Sequence, residues 1–220
     1  MQRIYDCSVD TDLLTGFRQA KVALQRGEIV VMPTDTVYGI AADAFSAKGV
    51  EQLLALKGGD SKTPPTVLIP KVETLSALAT DLPLVANQLA AAFWPGALTM
   101  ILKAQASLDW DLGETRGTVA LRVPDHKITL AILEDVGPLA VSSANTLGNP
   151  ASVTAQQAEE YFGEKVPVYL DGGSSPKGEI STILDLTQVR DGEPIRLLRK
   201  GAISISRIRS VIGDVELEVE

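Results

Sequence analysis

The sequence predicts a single α/β domain whose sheet mixes parallel and antiparallel strands. Helical and strand-like segments alternate along the chain, as they do in α/β folds. Several predicted strands follow one another without an intervening helix, which argues against a purely parallel sheet. A length of 220 residues fits one large domain, and neither an internal repeat nor a low-complexity linker divides it.

Each predicted element rests on a periodicity or an end signal. The first helix has an apolar residue every three or four positions and ends at Gly27. Thr154 and Gln157 form a capping box for a later helix, and Ser204 is a suitable N-cap for a closing one. We predict helices over residues 12–26, 47–56, 84–93, 154–161 and 204–211, and strands over 29–32, 66–69, 98–103, 118–123, 139–141, 166–170, 182–186 and 195–198.

The composition is ordinary for a globular core, with an acidic charge balance. Hydrophobic residues make up 45% of the sequence and charged residues 22%, and the formal net charge is −8. This charge disfavours direct RNA binding, although it allows a small basic pocket for an anionic ligand. The sequence shows no targeting segment, no apolar run of about 18 residues and only one cysteine, Cys7. We therefore expect a cytoplasmic protein with no internal disulfide and no membrane span.

Familiar catalytic motifs are missing. Residues 58–63 read GGDSKT, but a phosphate-binding P-loop needs glycine directly before the lysine and a helix directly after it. The residues Pro124-Asp125-His126 indicate the start of one further helix, yet no GxSxG elbow provides a serine nucleophile for His126. One histidine and one cysteine are too few for a zinc site of the Cys/His type. Any metal would be bound through oxygen, as Mg²⁺ is when it accompanies phosphates.

Polar groups collect at the ends of the predicted elements. The stretch VMPTDTVYGI, residues 31–40, closes an apolar run with polar side chains, which mark either a turn or a binding site. Groups suited to anions or carboxylates end other elements, namely Lys57, Arg122, Ser142-Ser143-Ala144-Asn145 and Arg199-Lys200-Gly201. Each alone also has a structural explanation, such as a helix-end lysine or a buried ion pair. Together they favour a site, because α/β sheets bind ligands at the ends of their strands.

Seven segments occur in the same order in one known family. They are PTDTVYGIA, the lysine of LLALKGG, FWPGALTMIL, VALRVPDH, AVSSANTLGNPA, ISTILDLT and LLRKGAIS. Through them the chain resembles the YrdC-like threonylcarbamoyl-AMP synthases over residues 14–212. Residues 1–13 are then an N-terminal lead-in, and residues 213–220 a C-terminal tail. The resemblance implies a twisted, mostly open sheet flanked by helices, with a large concave face.

The resemblance also implies a reaction. L-threonine, bicarbonate and ATP give L-threonylcarbamoyladenylate and pyrophosphate. A separate tRNA threonylcarbamoyl transferase complex then uses this product for the t6A modification of adenosine 37 in tRNAs that read ANN codons. Mg²⁺ accompanies ATP without protein side-chain ligands, and the use of a monovalent cation is left open. Such phosphoryl chemistry relies on positioning and charge stabilisation, in agreement with the lack of a nucleophile–base pair.

Individual residues receive roles from the matched motifs. Arg122 would pair bidentately with the threonine carboxylate, a geometry that lysine cannot copy. The implied threonine-binding residues are Thr34, Thr36, Tyr38, Arg122 and Ser181. The implied ATP-binding residues are Lys57, Lys62, Ser143, Asn145 and Arg199. Lys57 and Arg122 are the implied catalytic residues.

Two positions depart from the family pattern. The family usually has arginine at the position of Gly59, and proline at the position of Ala97. Loss of a charge-assisted contact at Gly59 would cost roughly 1.5–3 kcal/mol of ligand interaction, unless Lys62 or Lys200 replaces it. This departure leaves an alternative open, namely a YrdC-like paralogue with weak or no synthase activity that binds a nucleotide or RNA.

Overall fold

The computed structural model describes residues 3–58, 64–175 and 178–219, and these form helices and strands in alternation. The helices are α1 Asp10–Gln25, α2 Ala47–Leu56, α3 Leu75–Leu78, α4 Leu84–Phe93, α5 Lys127–Val136, α6 Ala155–Phe162 and α7 Ile205–Ile212. The strands are β1 Ile4–Asp6, β2 Val30–Met32, β3 Gly39–Asp43, β4 Thr66–Leu68, β5 Ala79–Thr80, β6 Leu98–Ala104, β7 Thr118–Arg122, β8 Leu139–Ser143, β9 Val168–Asp171, β10 Thr182–Asp185, β11 Ile195–Arg199 and β12 Leu217–Val219.

All the strands belong to one mixed sheet. Their order is β1-β9-β2-β3-β8-β4-β7-β6-β10-β11-β12, and β5 pairs with β6 beside this path. Parallel pairing joins β9 to both β1 and β2, β4 to β7, β6 to β10 and β11 to β12. The other neighbours are antiparallel. The predicted fold class, one α/β domain with a mixed sheet, is confirmed.

Helices cover the two faces of the sheet unequally. On one face, Leu98, Met100 and Leu102 of β6 pack with α4 and α7, and Ile40 and Ala42 of β3 pack with α2 and α6. On the opposite face, α1 and α5 cover the part of the sheet that contains β3, β8 and β9. Because side chains alternate along a strand, every second residue of β6, β7 and β10 points to this second face, where the cavity described below lies.

The predicted helices lie where the sequence placed them. The segments 47–56 and 84–93 coincide with α2 and α4, and Gly27 follows α1 with a left-handed φ of +68°. At α6 the Thr154 hydroxyl accepts the N–H of Gln157, as in a capping box. The Gln157 side chain, however, accepts the N–H of Val153 instead of that of Thr154, so this half of the box lies one residue earlier.

The strand predictions were wrong or incomplete at two places near the site. β3 was not predicted, because its sequence GIAAD contains residues with little preference for strands. It forms because β2 and β8 flank it and bury it. β8 was predicted to end at Val141, but it continues to Ser143, so Ser142 and Ser143 end the strand and do not follow it.

Both predicted terminal segments contribute a strand. β1 lies within residues 1–13 and pairs with β9, while β12 lies within residues 213–220 and pairs with β11. Helix α7 was expected to close the fold, yet β12 follows it, and Leu217 of this strand is buried in the core. Among the described helices, none combines the length and the apolar character that a membrane span requires.

Candidate functional site

A cavity of about 150 Å³ lies on the second face of the sheet. Side chains from the β2–β3 turn and from the ends of β7, β8 and β11 meet in it. The predicted site residues that line it are Thr34, Thr36, Tyr38, Arg122, Ser143, Ser181 and Arg199. Apolar wall residues are Val37, Leu68, Val141, Ile180 and Ile183. The cavity thus combines hydroxyl groups and two guanidinium groups with an apolar wall.

The turn between β2 and β3 is held by its own threonines. The Thr34 hydroxyl donates to the carbonyl oxygen of Val37 at 2.6 Å and accepts the N–H of Thr36 at 3.1 Å. Its single hydrogen is thereby used, so in the 2.9 Å contact between the two hydroxyls Thr36 is the donor. The Thr34 hydroxyl is then saturated, whereas Thr36 keeps acceptor capacity for other partners.

Arg122 is buried and is held on three sides. Its Nε donates to the carbonyl of Gly96 at 2.9 Å, Nη1 to the Thr36 hydroxyl at 3.0 Å and Nη2 to Asp35 at 2.5 Å. Three of the five N–H donors of a guanidinium are used in this way, and two remain. Burial lowers the pKa of Arg122, and the Asp35 carboxylate opposes that shift. Asp35 therefore balances the charge of Arg122 before any ligand binds.

Tyr38 lines the cavity, but its hydroxyl serves the loop after β9. The hydroxyl donates to the carbonyl of Gly173 at 2.6 Å and accepts the N–H of Gly172 at 3.1 Å. It also lies 3.3 Å from Asp171 Oδ1. Burial, followed by the Asp171 carboxylate, raises the pKa of Tyr38, which keeps the phenol protonated. Tyr38 thus shapes the cavity as a fixed wall, with its polar group engaged elsewhere.

Arg199 and Ser181 form the opposite side of the cavity. Arg199 donates from Nε to the carbonyl of Ser181 at 2.9 Å and from Nη2 to the Ser181 hydroxyl at 2.8 Å. Burial, followed by the nearby charge of Arg122, lowers the pKa of Arg199. Among the described residues, no carboxylate forms a salt bridge with Arg199. Arg199 consequently supplies the unbalanced positive charge of the cavity.

Lys57, Ser143 and Asn145 form a cluster at the edge of the cavity. Lys57 Nζ donates to the carbonyls of Ser143 and Asn145 at 2.8 and 2.6 Å, and to Asn145 Oδ1 at 3.0 Å. The Ser143 hydroxyl donates to Asn145 Oδ1 at 2.6 Å. Burial lowers the pKa of Lys57 to about 8. The C-terminal end of α2 is thereby joined to the end of β8, and Ser143 connects this cluster with the cavity.

The structure brings most of the predicted residues together and adds two. Lys62 and Gly59 lie outside the described residues. Asp35 and Thr99 were not assigned a role from the sequence; Asp35 pairs with Arg122, and the Thr99 hydroxyl contacts that of Ser181. Asp35 stands between two threonines of the matched PTDTVYGIA motif, a signal that could have identified it. Thr99 also lies in a matched motif, but a threonine in a strand offers no such signal.

The fold and the cavity define an α/β protein with a preformed cavity lined by hydroxyl groups and two guanidinium groups. The family model Sua5_yciO_yrdC, described as "Telomere recombination", matches residues 22–201. The chain therefore belongs to the Sua5/YciO/YrdC family.

Three curated relatives match between 79% and 98% of this chain. A protein of Mycobacterium leprae is 45% identical over 215 residues, which are 98% of this chain and 96% of that protein. The threonylcarbamoyl-AMP synthase of Pseudomonas aeruginosa is 32% identical over 79% of this chain and 95% of its own length. The Bacillus subtilis threonylcarbamoyl-AMP synthase is 35% identical over 91% of this chain, which matches only 57% of that longer protein.

Solved structures share the fold. A crystal structure of P. abyssi Sua5 complexed with L-threonine superposes with a TM-score of 0.87 at 32% identity. The match covers 99% of this chain, and the chain spans 63% of the length of that protein. E. coli YciO, at 21% identity and a TM-score of 0.80, shares the fold over 94% of this chain.

Proposed function

We propose that this protein makes L-threonylcarbamoyladenylate from L-threonine, bicarbonate or CO₂, and ATP, and releases pyrophosphate. It would thereby supply the t6A modification at adenosine 37 of ANN-decoding tRNAs. The observation that carries this proposal is the cavity, in which paired hydroxyl groups and two guanidinium groups lie together. These groups come from segments that are distant in the sequence and that correspond to the family motifs. Relatives of matching length named threonylcarbamoyl-AMP synthase, and a threonine complex of the same fold, support it.

In this proposal, different side chains of the cavity bind different parts of the substrate threonine. The Thr36 hydroxyl keeps a lone pair that can accept a hydrogen bond from the substrate threonine. Thr34 holds the turn, and Tyr38 forms part of the cavity wall. The two unused N–H groups of Arg122 would donate to the carboxylate of the substrate threonine, and the Ser181 hydroxyl would lie near the same carboxylate. The wall at Val37 and Val141 suits a methyl group of the side chain.

ATP would lie toward the Lys57 cluster. Lys57, Ser143, Asn145 and Arg199 offer donors to the phosphates, and Lys62 is proposed to contribute from the segment outside the described residues. Lys57 already spends its three N–H donors on protein oxygens, so binding of a phosphate exchanges at least one of these bonds. Mg²⁺ would be bound by the phosphate oxygens of ATP, since this hard cation prefers oxygen ligands and commonly accompanies phosphates.

The proposed chemistry needs no side-chain nucleophile. The threonine amine takes up CO₂ and loses a proton, and the resulting carbamate oxygen attacks the α-phosphorus as pyrophosphate leaves. Lys57 and Arg122 would act as catalytic residues by stabilising the negative charge that accumulates on the phosphates and on the carboxylated amino acid. The product would pass to a tRNA threonylcarbamoyl transferase complex in the cytoplasm, and the acidic charge of −8 disfavours direct contact with RNA.

Pyrophosphate release tests the proposal. The purified protein with Mg²⁺-ATP, L-threonine and bicarbonate should release pyrophosphate only when all of them are present. Arg199→Gln should lower this rate at least about tenfold, because a charge-assisted contact is lost. The control Arg209→Gln, at an exposed position of α7, should leave it unchanged. ATP binding without threonine-dependent release would instead support the nucleotide-binding paralogue, and RNA binding that weakens with salt would support the RNA-binding alternative.

A further inference from the structure

A chain of hydroxyl groups runs from the core of the sheet into the cavity. Thr99 on β6 is completely buried, and its Oγ1 lies 2.9 Å from the Oγ of Ser181. Ser181 is 5% exposed and lines the cavity, where its hydroxyl also receives Nη2 of Arg199 at 2.8 Å. The residue that touches the cavity is thus connected to one that does not.

The direction of these hydrogen bonds follows from the number of hydrogens. A hydroxyl has one hydrogen and two lone pairs, and a buried hydroxyl almost always uses its hydrogen. Within the described residues, the Thr99 hydroxyl has only the Ser181 hydroxyl as a hydrogen-bond partner. Thr99 is therefore the donor in this contact. Arg199 can only donate, so the two lone pairs of Ser181 Oγ are both occupied.

The hydrogen of Ser181 is then the one group left for a ligand. Among the described residues, no acceptor for this hydrogen contacts the Ser181 hydroxyl, and Ser181 lines the cavity. We propose that Thr99 is a positioning residue, which makes Ser181 an obligate hydrogen-bond donor and aims it, together with Arg199, at an anionic oxygen of the bound substrate. This inference rests on the proposed function for the identity of the substrate, whose oxygen comes from the threonine carboxylate or from ATP.

The backbone around Ser181 is locked to the end of β11. A Cβ atom on Gly201 would lie 2.4 Å from the carbonyl oxygen of Ile180 and 2.5 Å from the carbonyl carbon of Ser181, so only glycine fits at this close approach. Ala202 donates its N–H to the carbonyl of Ile180, and Arg199 Nε donates to that of Ser181. Ser181 is thus placed by the backbone, and Thr99 determines only the direction of its hydrogen.

Binding measurements on variants of Thr99 and Ser181 test this assignment without relying on turnover. Thr99→Val keeps the shape and removes the donor, so it should weaken binding of one ligand about three- to tenfold in calorimetry, while Thr99→Ser should restore it. L-threonine and Mg²⁺-ATP are titrated separately. An effect confined to threonine identifies the carboxylate as the acceptor, and one confined to ATP identifies a phosphate.

The double variant separates positioning from packing. In a Ser181→Ala background, Thr99→Val should produce no further loss of affinity, because the residue through which Thr99 acts is gone. An unchanged affinity in Thr99→Val, or an equal loss in both backgrounds, would overturn the inference. Thr99→Ala takes the place of the valine variant should the latter fail to fold. If these binding effects appear without pyrophosphate release, the inference stands and the proposed synthase activity fails; wild-type protein that binds neither ligand would overturn both.

Discussion

Asp35 and Arg122 form the most deeply buried ion pair in the described part of the chain, with side chains 15% and 7% exposed. Removal of one partner leaves the other charge buried without compensation. We expect Asp35→Asn and Arg122→Met each to lower the free energy of unfolding by about 3–5 kcal/mol, as urea denaturation would measure. The pair thus fixes both the stability of the site and its charge.

The control for this prediction removes both charges together. Asp35→Asn combined with Arg122→Met should regain most of the lost stability, because no unpaired charge remains. Threonine binding should stay weak in this double variant, since the guanidinium is absent. Single variants as stable as the wild type would contradict the buried-pair interpretation.

The lowered pKa of Lys57 predicts that activity falls as the pH rises, whereas the stability of the fold increases. Its pKa is lowered to about 8 in the folded protein, below the ordinary value of 10.5, mainly by burial. Between these two pH values, Lys57 is more protonated in the unfolded chain than in the folded protein, so its contribution to stability rises with pH. Phosphate binding needs the charged ammonium, so kcat/KM for ATP should fall above about pH 8.

Pyrophosphate release and thermal unfolding between pH 7 and 10 would measure the two trends. Lys57→Met is the matched variant, and it should remove the inflection near pH 8 from the rate profile. Persistence of this inflection in Lys57→Met would assign it to another group.

The residues that contact the cavity could be predicted better than those behind them. Arg122, Ser181 and Arg199 are polar residues at element ends within long motifs. Asp35 and Thr99 act through neighbours from which they are separated along the chain by 87 and 82 residues. The motif can draw attention to Asp35, but because its partner is set by the tertiary fold, no local pattern identifies Arg122 as the residue with which it pairs.

At the scale of elements, end signals were more informative than strand composition. The caps at Thr154 and Ser204 accept the N–H groups of Gln157 and Arg207, as the sequence predicted. β3 could not be predicted, since its strand geometry is imposed by β2 and β8 on both sides. The polar stretch before it is a turn, because the chain reverses there to form an antiparallel pair, and its side chains also line the cavity.

The cap of α6 provides a test at this scale. Thr154→Ala removes the acceptor for one N–H of the first turn and should lower the free energy of unfolding by about 1 kcal/mol in urea denaturation. Ser210→Ala, which removes a hydroxyl from an exposed position of α7, is the control and should not destabilise, since alanine favours helices. Equal effects of both substitutions would argue against the capping role.

At the scale of the whole molecule, the class of the fold could be predicted but not the order of its strands. Consecutive strands without helices between them indicate a mixed sheet. Nothing local indicates that β4 lies between β8 and β7, or that β10 pairs with β6 in parallel. These neighbours come from distant parts of the sequence, and their pairing depends on the packing of both faces.

Because the residues around the cavity are far apart in the sequence, the cavity can form only late in the synthesis and folding of the chain. Contacts across it join residues 82, 86 and 88 positions apart, at Thr99–Ser181, Thr36–Arg122 and Lys57–Asn145. Contacts of this kind form slowly, because a large loop must close before they contribute. A nascent chain still on the ribosome at residue 180 lacks Ser181 and Arg199, and so has only half a binding site. In refolding experiments, threonine binding should return after the far-ultraviolet dichroism does, so ligand affinity reports completed synthesis and folding of this chain.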